Sequence, residues 1–381
     1  MSDAAPIPKH KLRVPRPRRG AVRVLVGTRK GAFAIDADAA RSSWEVAAPW
    51  HLGWTAFHVV ADPRRPGAIL AAVRDPGGEP TVMRTEDGGE RWAPADEPPA
   101  FEPAGAGARD VRQVFWLTPG HAQQPGRWYC GTSPQGMFRS DDGGRTWMPV
   151  GGLHEAPGFE EWTSPASDGT PDGPKLHSIL IDPRDSDRLV AGLSTGGVVA
   201  SEDAGASWRR LERGLEGDAV VAPQSVVAAP TNPDRLWMQN HFGVYRMDRE
   251  DEVWRRVGPR DADGAFDDAG FPIAVHPHDP DCAFVVPMDG SDAWPRTPIG
   301  GRPAVLRTRD GGATWSRLDR GLPASDTWWT VKRQCLATDG HDPLGVYFGT
   351  SSGEIWASAD EGARWRCIAR GLPHVYSVEI A

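Results

Sequence analysis

The chain holds 381 residues with a net charge of −8; 25% are charged, 39% are hydrophobic and 17 are Trp. That balance argues against a membrane-spanning protein, because no apolar run reaches the roughly 18 residues that a spanning helix needs. It also argues against a nucleic-acid binder, because no basic stripe with interleaved aromatics occurs.

Residues 1–21 are polar and basic (Lys9, Lys11, Arg13, Arg16, Arg18, Arg19) and lack the apolar stretch of a signal peptide. They predict a disordered arm on a cytoplasmic protein. Residues 22–381 predict a single propeller domain. Val24–Ile35 reads as two strands, with Trp44 beyond them. Then an eight-residue turn, S/T-x-D-x-G-x-x-W, recurs at Thr85–Trp92, Ser140–Trp147, Ser201–Trp208, Thr308–Trp315 and Ser358–Trp365. A decayed copy runs from Met247 to Trp254, and the intervals are 46 to 61 residues. The Asp carboxylate caps backbone N–H groups of the turn, the last Gly supplies a positive φ, and the Trp opens the next strand with a large apolar face.

Upstream of each turn runs strand, Gly turn, strand, as in Cys130–Ser140 and Ala191–Ser201. Earlier still lies an apolar strand closed by a Pro-containing turn: His177–Pro183, Gln224–Pro230, Ile273–Pro277. A unit is therefore four antiparallel strands, A to D outward from an axis. Trp44, Trp92, Trp147, Trp208, Trp254, Trp315 and Trp365 count seven units. The expected fold is all-β: a seven-bladed β-propeller of four-stranded antiparallel blades. Blade 1 lacks a strand A of its own, and the alternating segment Val375–Ala381 is expected to supply it and close the ring, which removes open sheet edges. Cys130, Cys282, Cys335 and Cys367 lie far apart in strands and read as buried apolar fillers.

In such a blade the box turns and A–B turns share one face of the disc, and the B–C turns and D–A connections share the other. Loops on the second face vary freely, so a ligand is expected there. Two are long: Val150–Lys175, with His154, Glu155, Glu160, Glu161, Trp162, Asp168 and Asp172, and Asp289–Arg302 in blade 6. Aligning the A strands sets His58, Gln113, His177, Gln224, Phe271 and Gln334 near one level at the channel mouth. This polar ring fits either a hydrated channel or a ligand site. His241, in a B–C turn, faces the same mouth; with His58 and His177 it makes a candidate three-imidazole site for Zn, Cu or Fe. His276 and His278 sit at an A–B turn on the opposite face. Trp50, Trp54, Trp162, Trp294, Trp328 and Trp329 fall in loops of the candidate face outside the box pattern.

The boxes resemble those of the Asp-box (BNR) propellers over residues 22–381, a superfamily that includes sialidases, two-domain xyloglucanases, sortilin-type receptors and photosystem II assembly factors. The phrase Gly27-Thr-Arg-Lys-Gly-Ala-Phe33 is similar to the opening of soluble bacterial propellers labelled sialidase-like or glycosyl hydrolase. That resemblance implies more histidines on the inner strands than occur here, where Gln224 and Trp116 stand instead. A true sialidase implies six blades, an Arg-Ile-Pro phrase and a Tyr–Glu nucleophile pair. This chain has seven predicted blades, no such phrase and only four tyrosines.

Two functions remain. One is an enzyme acting on a polar small molecule or saccharide at the channel mouth, with acid and base drawn from Glu160, Glu161, Asp110, Asp267, Asp268 and Asp326. Arg29, Arg74, Arg112, Lys332 and Arg333 are candidates to hold an anionic group, and Trp54 to line the site. The other is a non-catalytic binding or assembly scaffold. Neither calls for a nucleic-acid or membrane partner, and the oligomeric state is left open.

Overall fold

The computed structural model describes residues 22–47, 49–101, 110–163, 173–220, 222–260, 268–291 and 295–381. Seven four-stranded antiparallel sheets make up the propeller. The sheets pack face to face, so inner strands are covered on both sides. That is why Arg23–Thr28 and Trp128–Ser133 are buried at every position instead of alternating.

Blade 1 pairs in the order Val375–Ile380, Arg23–Thr28, Gly31–Ala37, Trp44–Val46. The C-terminal strand is thus its innermost one, as expected from the sequence. Val24 faces Ile380 and Val26 faces Val378 across this seam. Closing the ring with its own ends leaves blade 1 no free inner edge.

The box turns are built as their residue types dictate. In all five intact copies the Ser or Thr hydroxyl donates to the Asp carboxylate at 2.6–2.8 Å. The same hydroxyl accepts the N–H of the last Gly at 2.8–3.2 Å. The carboxylate then accepts a backbone N–H four residues on, at 2.8–3.0 Å. Gly89, Gly144, Gly205, Gly312 and Gly362 all have positive φ, from 84° to 97°. Blade 1 carries an imitation: Asp38 accepts the Ser42 N–H at 2.7 Å, and Arg41 takes the positive φ. In the decayed copy Glu252 takes it.

The tryptophans divide into two uses. Trp92, Trp147 and Trp208 donate their indole N–H back into their own turn. Trp254, Trp315 and Trp365 donate to carbonyls of the preceding blade, at Leu211, Val257 and Leu318. These last three staple blade to blade.

Candidate functional site

Five inner strands carry an irregularity near their start, at Ala56/His58, Val114/Trp116, His177/Leu180, Pro223/Ser225 and Gly270/Ile273. Each bulge turns backbone groups out of the ladder, and these need partners from a neighbouring blade. The predicted polar ring supplies several of them. His58 Nδ1 accepts the Leu117 N–H of blade 3 at 2.9 Å. That leaves the ring proton on Nε2, which lies 2.9 Å from Glu379 Oε1 of the C-terminal strand. His177 Nε2 donates to the Pro223 carbonyl at 3.1 Å, so its Nδ1 accepts the Ser178 hydroxyl at 2.8 Å. Ser178 in turn accepts the Val226 N–H at 2.9 Å. Gln334 reaches across the channel, donating to the Phe115 carbonyl at 2.8 Å, and Gln224 accepts from the Arg333 guanidinium.

Above this stitched layer lies a cavity of about 280 Å³. Gln113, Gln334, Arg333 and Phe271, all singled out in the sequence, line it. Both long loops reach it as well: Lys175 closes the Val150–Lys175 connection, and Pro295 and Arg296 belong to the blade 6 insert. Lys332, Phe115, Thr330 and Tyr376 complete the wall. The cations rest on aromatic faces: Lys175 and Arg333 lie 5.6 and 5.7 Å from the Phe115 ring centre, Lys332 4.9 Å from Tyr376, and Arg296 5.7 Å from Phe271. Just outside, Arg74 lies 5.3 Å from Phe57 and donates to the Arg112 carbonyl, and the Arg29 N–H bonds the His374 carbonyl.

The imidazoles register this positive field. Burial pushes the His177 pKa well below its usual value, and Arg333 and Lys175 push the same way against the bond to Pro223. Burial, then Lys332 and Arg29, lower His374 to about 4.

The three candidate metal ligands are not brought together. Both ring nitrogens of His58 and of His177 are engaged by protein groups, and His241 packs 6.1 Å from the Phe271 ring. Among the described residues no group of three or more His, Cys, Asp or Glu gathers for a metal. These imidazoles therefore do not fit a shared ion.

The candidate acids are dispersed too. Glu160 and Glu161 are exposed in the first turn of the short helix Phe159–Trp162. Asp110 and Asp326 are exposed as well. Asp268 is buried, but it takes both its oxygens to Arg256 and accepts the Val244 N–H at 3.0 Å. Asp267, Asp168 and Asp172 lie outside the described residues. No Asp or Glu stands among the described residues lining the cavity. Glu379 of the C-terminal strand is one-third exposed and bonded to His58.

The tryptophans outside the boxes also separate. Trp50 and Trp329 are buried; Trp50 packs on Trp92, and Trp329 on Phe348. Trp54 packs on His51, 5.3 Å away, and is not part of the cavity wall. Trp328 is 64% exposed, and Trp294 lies outside the described residues.

Sequence reasoning missed Lys175, Arg296, Tyr376 and Glu379. Two signals stood in the sequence: each long loop carries a cation near its return, and the closing strand's side chains must alternate between channel and blade.

No protein-family model matches the chain. An oligoxyloglucan-reducing end-specific xyloglucanase of Emericella nidulans is 21% identical over 272 residues, 62% of this chain and 30% of the relative. A xyloglucanase of Paenibacillus sp is 25% identical over 171 residues, 42% of this chain and 15% of the relative. Among solved structures, the GH74 xyloglucanase of Xanthomonas campestris superposes with a TM-score of 0.63 at 18% identity. That match covers 94% of this chain and 56% of the enzyme. YCF48 bound to D1 peptide superposes with a TM-score of 0.50 at 14% identity, covering 93% of this chain and 88% of that one. The likenesses establish the propeller fold. This chain spans less than a third of either curated relative.

Proposed function

We propose that this chain is a saccharide-directed propeller of the Asp-box (BNR) kind, with its ligand site at the loop-rich mouth of the channel. One observation carries the reading: both long loops and four inner-strand starts converge on a single small cavity walled by amides, cations and aromatic rings. Such a mixture suits hydroxyl-rich rings, whose polar edges take hydrogen bonds while their faces lie on aromatics. The xyloglucanase names of the relatives support a saccharide over other polar ligands. The capped S/T-x-D turns support the Asp-box assignment.

A glycosidase needs two carboxyl groups roughly 5–9.5 Å apart on either side of the bond. The residues described in the cavity wall include no such pair, so the binding of the sugar and its hydrolysis are tested separately. The test is a binding screen by calorimetry against mono- and oligosaccharides, run beside an assay for released reducing ends. Binding without release supports the reading. Turnover that survives Gln113→Ala and Tyr376→Ala would move the site elsewhere.

A further inference from the structure

We infer that Gln113 is the specificity-determining residue of the mouth: its side-chain amide, which the fold leaves unpaired, reads a ligand group that donates and accepts hydrogen bonds at adjacent atoms. The inference rests on the saccharide reading and adds the group by which the sugar is read.

Five polar side chains stand near one level of the inner strands, and four of them are spent on the frame. His58 joins the Leu117 N–H to Glu379, and His177 joins the Pro223 carbonyl to Ser178. Gln224 accepts from Arg333, and Gln334 donates to the Phe115 carbonyl. Gln113 is the exception. It is 1% exposed, yet its amide oxygen accepts no hydrogen bond and its nitrogen donates to none of the described residues. It lines the cavity at the mouth together with Gln334 and Phe115. A loose backbone is not the cause. Gln113 pairs with Ser133 across the first two strands of blade 3, and the Arg112 N–H bonds the Ser133 carbonyl at 2.8 Å. The ladder thus carries the side chain to the cavity, just before the bulge at Val114/Trp116.

A buried amide without a partner costs stability, because water satisfies both of its ends in the unfolded chain. An apolar side chain of the same length would fill the place without that cost. A ligand that supplies the missing bonds accounts for the amide. The amide also restricts the ligand. Its oxygen accepts and its NH₂ donates, side by side in one plane, so the complementary group must offer both roles at adjacent atoms. Two groups of a sugar meet that demand: a pair of vicinal hydroxyls and an acetamido substituent. Phe115, Phe271 and Tyr376 share the wall, and their low polarity strengthens such bonds relative to those in water. Discrimination follows from the same burial, because a ligand without the matching group leaves the amide unpaired. The cavity of about 280 Å³ is near the lower end of the roughly 300–1,000 Å³ range of ligand sites, so a single sugar unit meets Gln113.

The experiment is calorimetry on the full chain with glucose, xylose and N-acetylglucosamine. The native protein is compared with Gln113→Met and Gln113→Leu, and thermal unfolding of all three is followed without ligand. The expected result is a pair of opposed shifts. Each variant should weaken the bound sugar by about tenfold or more. Each should also raise the unfolding midpoint of the ligand-free protein, by about 2 °C. Tighter binding of N-acetylglucosamine identifies the acetamido group, and tighter binding of glucose and xylose the vicinal hydroxyls; with the loss in the variants, either supports the proposal. Unchanged affinity in the variants overturns it and leaves the saccharide reading standing. A lowered midpoint in both variants assigns the amide to the frame and overturns it as well; running two side chains keeps a misfit of one from being mistaken for loss of the amide. No sugar bound by the native protein overturns the saccharide reading, and this inference with it.

Discussion

The two faces of this disc are built on opposite plans. On the box face the five intact turns repeat one hydrogen-bond pattern, and their Asp carboxylates are consumed in capping backbone N–H groups. On the mouth face the loops differ in length, and the cations around the cavity are drawn from distant segments and laid against aromatic rings. The lesson is that a repeated local turn spends its charge on its own backbone, whereas unmatched loops bring charges together only through the fold. A box Asp cannot serve a ligand without releasing its turn, whereas the mouth cations are laid against rings contributed by other segments of the chain.

The contrast can be broken most severely from the structural side. Trp365 is 2% exposed and staples its indole N–H to Leu318 of the neighbouring blade. Trp365→Ala should cost about 3–5 kcal/mol in chemical denaturation, while Trp328→Ala, at 64% exposure, should stay within about 0.5 kcal/mol. Comparable losses for both would mean that the outer tryptophan is part of the frame.

Next comes Asp268, a sequence-level candidate for catalysis that the structure ties to Arg256. Asp268→Asn should destabilise by about 2–3 kcal/mol, below the 3–5 of a fully buried pair because Arg256 stays partly hydrated. Ligand affinity at the mouth should be unchanged; an affinity loss at full stability would return Asp268 to the site.

A smaller effect is expected for a single box. Asp142→Ala removes the acceptor for the Arg145 and Thr146 amides and should cost about 1 kcal/mol, by analogy with lost helix caps. Equal losses in the other intact boxes would show them to be equivalent, as their geometry implies.

The faces should also part under acid. His374 is held near pKa 4 by burial and by Lys332 and Arg29, below its unfolded value of 6.5. The unfolded chain takes up this proton first, so the stabilising contribution is complete above pH 6.5 and fades as pH falls toward 4. Asp310 is depressed to about 2 by its hydrogen bond to the Thr314 hydroxyl and to the Thr314 N–H. Its contribution is complete above about pH 4 and fades only as pH falls toward 2. Unfolding temperature followed against pH should therefore decline in two windows, and His374→Gln should lessen the upper decline, which His177 and His51 share, and leave the lower one unchanged.

The box motif made most of the fold legible, including the seventh blade and the closing strand, because S/T-x-D-x-G-x-x-W encodes a local turn whose partners lie within four residues. Even the irregular blade 1 follows suit, with Asp38 and Arg41 in the roles of Asp and Gly. The site was legible only in part. Aligning the strands located Gln113, Gln334 and Phe271, since strand register carries position, and Arg333 beside them. It did not reveal that His58 and His177 spend both ring nitrogens on neighbouring blades, because the bulges that demand those bonds are not written in the residue types. Nor did it join Lys175 to Arg296, 121 positions later, around one cavity. Short-range hydrogen bonds and alternation were enough to specify strands, turns and blade number. Which charges share a space was decided only when the ring closed, because that proximity depends on the angle between blades and on nothing local to either loop.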